Sequence, residues 1–223
     1  MIDGVRLKVC GLTSIVDAEA ADRCGADFLG FILYPKSPRH LPLAQFSAMA
    51  PRLPPRRRVA VSVEPSPAEL EAMAAAGFDF FQVHFGVSTS PDRLDEWSRC
   101  VGRDRLWLAP KLPPGTDVSA EVRTAAKVVL LDTFHEAGFG GSGVAGDWAK
   151  FARHRAAFPE NDWVLAGGLN EANIAAAVAA SGARFVDVNS GVESAPGVKD
   201  EAKLRRFAAA LRAAPKPSAP RAG

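Results

Sequence analysis

The 223-residue sequence predicts an α/β protein, a single (βα)8 TIM barrel, on three observations. First, eight short apolar runs alternate with amphipathic, alanine-rich stretches along nearly the whole chain. Strands alternating with helices imply a parallel sheet with right-handed crossovers. Second, the runs keep ending in polar or reactive residues: Lys8-Val9-Cys10, Gln82-Val83-His84, Ala109-Pro110-Lys111, Leu130-Leu131-Asp132 and Asp187-Val188-Asn189. A strand covered on both faces should be apolar nearly throughout. Polar groups gathered at strand ends are what an active site at the C-terminal mouth of a βα barrel requires. Third, eight alternations in about 210 residues favour a closed barrel over an open doubly wound sheet, although spacing alone is compatible with either.

The elements follow in order. Strands are expected at residues 5–9, 28–33, 58–63, 79–83, 105–109, 127–131, 163–166 and 185–188. The helix at 14–24 opens with Ser14 as its N-cap and Asp17 three residues on, close to a capping box. Ser-Pro opens the helix at 66–76 and places proline at its first helical position. The helix at 171–181 is nearly all alanine and stops at Gly182, a C-cap signal. Gly25, Gly77 and Gly182 each lead from a helix into an apolar strand, a degenerate βα repeat. The barrel domain is expected over residues 1–212. The Pro- and Ala-rich tail 213–223 lacks apolar periodicity and is expected to be disordered.

Composition sets bounds on function. A hydrophobic fraction of 48% supplies a sizeable core, and 23% charged residues is ordinary. A net charge of +2 gives no reason to expect nucleic acid or an anionic membrane surface as partner. It is compatible with a small anionic ligand, because local charge in a pocket matters more than the total. The three cysteines form no CxxC pair and no disulfide framework. With no signal peptide and no apolar run near the ~20 residues that span a bilayer, a cytoplasmic location is expected. The four histidines show no metal-ligand spacing, so no metal site is expected.

Side chains two apart share a strand face, so Lys8/Cys10, Gln82/His84 and Asp187/Asn189 point the same way. A lone cysteine is most often a small core hydrophobe. Lys8 beside Cys10 shifts that balance, since an ammonium lowers a thiol pKa from ~8.5 toward neutrality and makes the thiolate available as a base. Cys24 and Cys100 have no such company and read as structural. Asp132 ends the sixth strand, where a buried acid must be satisfied or functional. The glycine cluster 138–143, with Gly141 and Gly143, is either a plain surface loop or a lid whose N–H groups approach a ligand. Gly167-Gly168 after strand seven and Asn189-Ser190-Gly191 after strand eight occupy the two loops that recurrently cradle phosphate. Tight turns explain either alone, and both together less well. Arg39, in the rigid Tyr34-Pro35-Lys36-Ser37-Pro38-Arg39 loop, could clamp a carboxylate in bidentate fashion. The basic run 56–58 reads as a solvated face at the barrel's bottom.

Taken together, these segments resemble the phosphoribosylanthranilate isomerase family of tryptophan biosynthesis. The resemblance rests on Lys8-Val9-Cys10-Gly11-Leu12-Thr13, Gly25-Ala26-Asp27 running into Gly30-Phe31, and Tyr34 to Arg39. Further blocks are Leu130-Leu131-Asp132-Thr133, Gly140-Gly141-Ser142-Gly143, Ala166-Gly167-Gly168-Leu169 and Val186-Asp187-Val188-Asn189-Ser190-Gly191-Val192-Glu193. It spans residues 5–210 in the correct order.

What the resemblance implies is a cofactor-free Amadori rearrangement of N-(5-phosphoribosyl)anthranilate to 1-(2-carboxyphenylamino)-1-deoxyribulose 5-phosphate. Asp132 maps to the general acid and Cys10 to the general base, with Lys8 tuning the thiol. The Asp132 pKa must then be raised, by burial or by Asp187. Arg39 is implied to hold the anthranilate carboxylate and loops seven and eight the phosphate. Asp187 is implied to lie near the ribose or anilino nitrogen, with His84 as a further contact. The partners implied are one small phosphorylated substrate, no nucleic acid and no membrane, in a monomer or homodimer.

The family usually reads Gln-Leu-His-Gly after strand four, whereas this chain reads Gln82-Val83-His84-Phe85-Gly86. Either Phe85 replaces the glycine or one residue is inserted. Glycine permits a positive φ that an aromatic tolerates poorly. Asn189 stands where serine is more usual, and both offer hydrogen bonds.

Two rival readings remain. Another aminoaldose–ketose isomerase on the same barrel, such as the histidine-pathway enzyme, uses two aspartates, and Cys10 argues against it. A non-catalytic phosphate-binding barrel would need neither Cys10 nor Asp132.

Overall fold

A computed structural model describes residues 1–113, 115–132 and 147–215. Its strands are β1 (Arg6–Val9), β2 (Phe28–Ile32), β3 (Arg57–Val63), β4 (Phe80–Gly86), β5 (Leu106–Lys111), β6 (Val128–Leu131), β7 (Asp162–Leu165) and β8 (Phe185–Val188). They close in sequence order into a parallel barrel, sealed where β1 pairs with β8 through Lys8↔Asp187. Between and after them run α1 (Ile15–Arg23), α2 (Leu43–Met49), α3 (Pro67–Ala75), α4 (Pro91–Val101), α5 (Ala120–Ala125), α6 (Trp148–Ala157), α7 (Ile174–Ser181) and α8 (Glu201–Ala213). A short antiparallel hairpin, β9 (Glu193–Ala195) with β10 (Val198–Lys199), follows β8. The expected parallel (βα)8 barrel is the fold observed. Among the described residues no helix is long and apolar enough to cross a membrane.

Local chemistry sets the helix ends. Ser14 accepts a hydrogen bond from the Asp17 N–H, and Ser66 and Glu69 complete a reciprocal capping box with Pro67 at the first turn. Gly182 ends α7 in the left-handed region, at φ +63°. That helix starts at Ile174 rather than at 171, because the Asn173 side chain accepts from the Asn170 N–H and holds the preceding residues in a turn.

Alternate residues of each strand feed two cores. Leu7, Phe31, Phe81, Leu108 and Val186 face outward to meet Phe46, Trp97, Phe151 and Phe207. Inside the barrel, Phe28 touches Trp107 and Phe185 at ring-centroid distances of 5.2 and 5.0 Å, and Phe80 at 5.7 Å. This aromatic plug fills the N-terminal half. Arg6 caps the Phe185 ring at 4.5 Å and Arg57 the Phe28 ring at 5.5 Å.

The basic run 56–58 is therefore more than a solvated face. Arg57 stacks on the plug, Arg56 pairs with Asp22, and Arg58 donates to the Ala50 carbonyl. At the C-terminal end of the chain, α8 takes in Ala213 and Ala214 is buried, so the barrel extends past the expected boundary at 212. The rest of the expected tail, residues 216–223, lies outside the described residues.

Strand extension settles the form of loop four. β4 continues through Gly86, pairing Phe85 with Pro110 and Gly86 with Lys111 of β5. Phe85 faces outward, is buried, and meets the Trp97 ring edge-on at 5.8 Å. Neither Phe85 nor Gly86 has a positive φ, so the aromatic sits there without strain.

Candidate active site

The C-terminal strand ends surround one cavity, whose lining includes Cys10, Gln82, His84, Asp132, Gly167, Gly168, Asp187, Asn189 and Ser190. Lys8 lies beneath it, fully buried, with Nζ donating to Asp187 Oδ2 at 2.8 Å. The β1–β8 register puts these two residues directly opposite each other. Cys10, two residues on along the same strand face, is close enough for its charge to interact with that of Lys8. Space for both side chains comes from Gly30 on β2, where a Cβ would lie 2.8 Å from Lys8 Cε and 3.1 Å from Cys10 Sγ.

The electrostatics of this triad correct one expectation. Burial pushes the Cys10 thiol up, and although Lys8 pulls it down, as the sequence implied, burial with the Asp187 charge wins and the net pKa is raised. Burial works against the Lys8 charge, but Asp187 and Cys10 more than offset it and hold its pKa above the usual value. Burial likewise raises the Asp187 pKa against the pull of Lys8. In the free protein Cys10 therefore rests mainly as a thiol.

Asp132 follows β6, three strands round the barrel from β1, and lines the same cavity. Gly141 and Gly143 belong to residues 133–146, which lie outside the described residues. His84 reaches in from β4, its Nε2 at 2.9 Å from Gln82 Nε2. Burial, and then the Lys8 charge, push its pKa down to about 4, so the imidazole is neutral at physiological pH.

Loops seven and eight meet backbone to backbone. Gly167 and Gly168 adopt φ +91° and +62°. The Asn173 side chain donates to the Gly168 carbonyl at 2.9 Å, fixing the loop. The 3-10 turn Ser190–Val192 opens loop eight's far side, and its first N–H groups have no intrahelical partner. Gly191 is where the loops touch: a Cβ there would lie 2.0 Å from the Leu169 carbonyl oxygen. Gly191→Ala is therefore expected to push the loops apart and raise KM for a phosphorylated substrate at least about 10-fold, roughly the loss of one charged hydrogen bond. Steady-state kinetics checks this; an unchanged KM would remove the two loops from phosphate binding.

Arg39 stands beside the cavity rather than in its lining. Its Nε donates to Glu193 Oε1 and Oε2 at 2.8 and 3.1 Å, and its Nη2 donates to Oε2 at 2.6 Å. Lys199 Nζ donates to Glu193 Oε1 and to Asn189 Oδ1, each at 2.9 Å. Burial opposes the Glu193 charge, yet Arg39 and Lys199 together hold its carboxyl below the ordinary range. This network ties loop two to loop eight. Sequence patterns assign Glu193 and Lys199 no role: Glu193 only closes the block 186–193, and Lys199 belongs to no motif. The one available signal is Gly11 (φ +72°), where a Cβ would meet Asn189 Oδ1 at 2.6 Å and Arg39 Cδ at 2.8 Å.

Fold and site define an enzyme of the eight-stranded barrel class, with titratable groups collected around a C-terminal cavity. The family model for N-(5'-phosphoribosyl)anthranilate (PRA) isomerase matches residues 7–210. The chain belongs to that family. An N-(5'-phosphoribosyl)anthranilate isomerase of Cereibacter sphaeroides is 40% identical over 215 residues, covering 94% of this chain and 99% of the relative. The crystal structure of phosphoribosyl anthranilate isomerase from Thermus thermophilus matches with a TM-score of 0.77 at 32% identity, over 94% of this chain and 99% of that one. A phosphoribosyl anthranilate isomerase in complex with reduced 1-(o-carboxyphenylamino)-1-deoxyribulose 5-phosphate matches with a TM-score of 0.73 at 28% identity, over 94% and 99%.

Proposed function

We propose that this protein isomerises N-(5-phosphoribosyl)anthranilate to 1-(2-carboxyphenylamino)-1-deoxyribulose 5-phosphate, with Asp132 as acid and Cys10 as base. The observation that carries this reading is one cavity lined by both Cys10 and Asp132 together with Gly167 and Gly168 of loop seven and Asn189 and Ser190 of loop eight. Asp132 protonates the furanose ring oxygen, and the C1–O bond breaks to give a protonated imine. Cys10 then takes the proton from C2, leaving an enolamine that tautomerises to the ketone, so the net proton count is unchanged.

Because its pKa is raised, Cys10 must first release its thiol proton to solvent, and the thiolate so formed is the species that takes the C2 proton. Ring opening creates a cation next to the C2–H bond, and a positive charge near Sγ favours the thiolate at the step that needs it. Gly167, Gly168, Ser190 and Gly191 hold the phosphate, and Asn189 is positioned by Lys199 at its edge. Asp187 faces the anilino nitrogen. Arg39 is oriented through its Nε–Nη2 edge by Glu193 and offers the opposite edge to the anthranilate carboxylate. His84, neutral, contributes a hydrogen bond rather than a charge. The product's place is tryptophan biosynthesis, and the reaction calls on no cofactor.

The test is turnover of freshly generated phosphoribosylanthranilate by purified protein, followed by loss of anthranilate fluorescence. Turnover without added metal or nicotinamide is expected. A folded protein with no turnover would move the reading to a related aminoaldose substrate.

A further inference from the structure

Among the described residues, three that line the cavity carry a buried polar atom without a hydrogen-bond partner: Ser62 Oγ, Gln82 Oε1 and Asp187 Oδ1. Ser62 alternates with the inward Val59 and Val61 and so faces away from the barrel interior, which leaves Gln82 and Asp187. Gln82 is only 1% exposed and faces into the barrel, as its alternation with the outward Phe81 and Val83 requires. One end of its amide is spent on His84, at 2.9 Å. Whichever end faces the histidine, the other is left over. Leaving an amide group buried and unpaired costs stability, so a protein that keeps one in a ligand cavity has a ligand group to meet it. The terminal χ3 torsion of glutamine is soft, which lets the amide turn toward that group.

We infer that Gln82 is a specificity residue that hydrogen-bonds the C3 hydroxyl of the acyclic sugar chain. This inference rests on the proposed isomerase reading. The chemistry singles out C3. The C2 oxygen becomes the ketone and the C4 oxygen is the former ring oxygen served by Asp132. The phosphate on C5 belongs to loops seven and eight. Of the sugar oxygens that keep their chemical state through the reaction, only the C3 hydroxyl has no protein partner in that scheme. A hydroxyl both donates and accepts, so it satisfies either end of the amide. Asp187 Oδ1 remains for the anilino N–H. Sites that hydrogen-bond a substrate hydroxyl reject analogues lacking it far more strongly than apolar pockets do.

The experiment measures binding of two probes, the reduced product analogue and its 3-deoxy counterpart, by calorimetry with wild type and Gln82→Met. Wild type is expected to prefer the hydroxylated probe by at least about 10-fold. Gln82→Met should bring that ratio close to one while binding the 3-deoxy probe about as well as wild type. Gln82→Asn, which withdraws the amide by one methylene, serves if the methionine variant does not fold, and should also lose the preference. Equal preference in wild type and variant would overturn the role of Gln82 alone. Wild type that binds neither probe would instead overturn the isomerase reading and this inference with it.

Discussion

Cys10→Ala is expected to lower turnover of phosphoribosylanthranilate by about 10²–10⁴-fold while leaving KM nearly unchanged, the signature of a group that acts in the transition state. The substitution removes a single sulfur from a side chain that is buried beside Gly30 and Lys8, so the fold should survive it. Asp132→Asn should cost a similar factor for a different reason, since an amide cannot protonate the ring oxygen. If acid and base act on successive steps of one pathway, the double variant should fall short of the product of the two losses. Turnover of Cys10→Ala within a few-fold of wild type would show that another group abstracts the C2 proton.

Lys8→Met should destabilise the protein and disable the base together. The Lys8–Asp187 pair is fully enclosed at 2.8 Å, and removing one partner of a buried pair costs about 3–5 kcal/mol. For a domain of this size that is a fall in Tm of about 6–20 °C. The sign of the pH dependence follows from Asp187. Its folded pKa is already raised by burial, and losing Lys8 raises it further. A group whose folded pKa lies above its unfolded value supplies stability that is present at low pH and lost as pH rises through the folded pKa. The deficit of Lys8→Met should therefore widen above the ordinary aspartate range of ~3.9. Lys8→Met/Asp187→Leu, which removes both charges, should recover most of the Tm. In the Lys8→Met variant the thiol also loses the neighbour that lowers its pKa. Its thiolate absorbance, and the ascending limb of kcat/KM, should move to higher pH. An unchanged thiolate titration would mean that Lys8 does not tune Cys10.

Periodicity and strand-end polarity make the barrel legible in the sequence, because a parallel strand covered on both faces admits a polar residue only where it emerges. The same rule places Cys10, His84, Asp132, Asp187 and Asn189 around one cavity. Strand ends are harder. β4 runs three residues past its expected end because Phe85 finds an apolar seat on Trp97, a contact between distant segments that alternation cannot reveal. The pKa of Cys10 escapes the sequence in the same way: the neighbour two residues away is visible there, the burial that outweighs it is not. The roles of Glu193 and Lys199 are not legible in the sequence, because their partners, Arg39 and Asn189, are brought to them by loop geometry. Gly30 and Gly191, visible as parts of motifs, gain a physical reason only when a Cβ is set against Lys8 or the Leu169 carbonyl.

The measurement that tests the central claim most directly is a crystal structure of the protein with the reduced product analogue. The phosphate is expected against Gly167, Gly168, Ser190 and Gly191, with C2 within contact distance of Cys10 Sγ and Asp132 on the side of the C4 oxygen. A phosphate bound elsewhere, or C2 out of reach of Cys10, would contradict the assignment of Asp132 as acid and Cys10 as base.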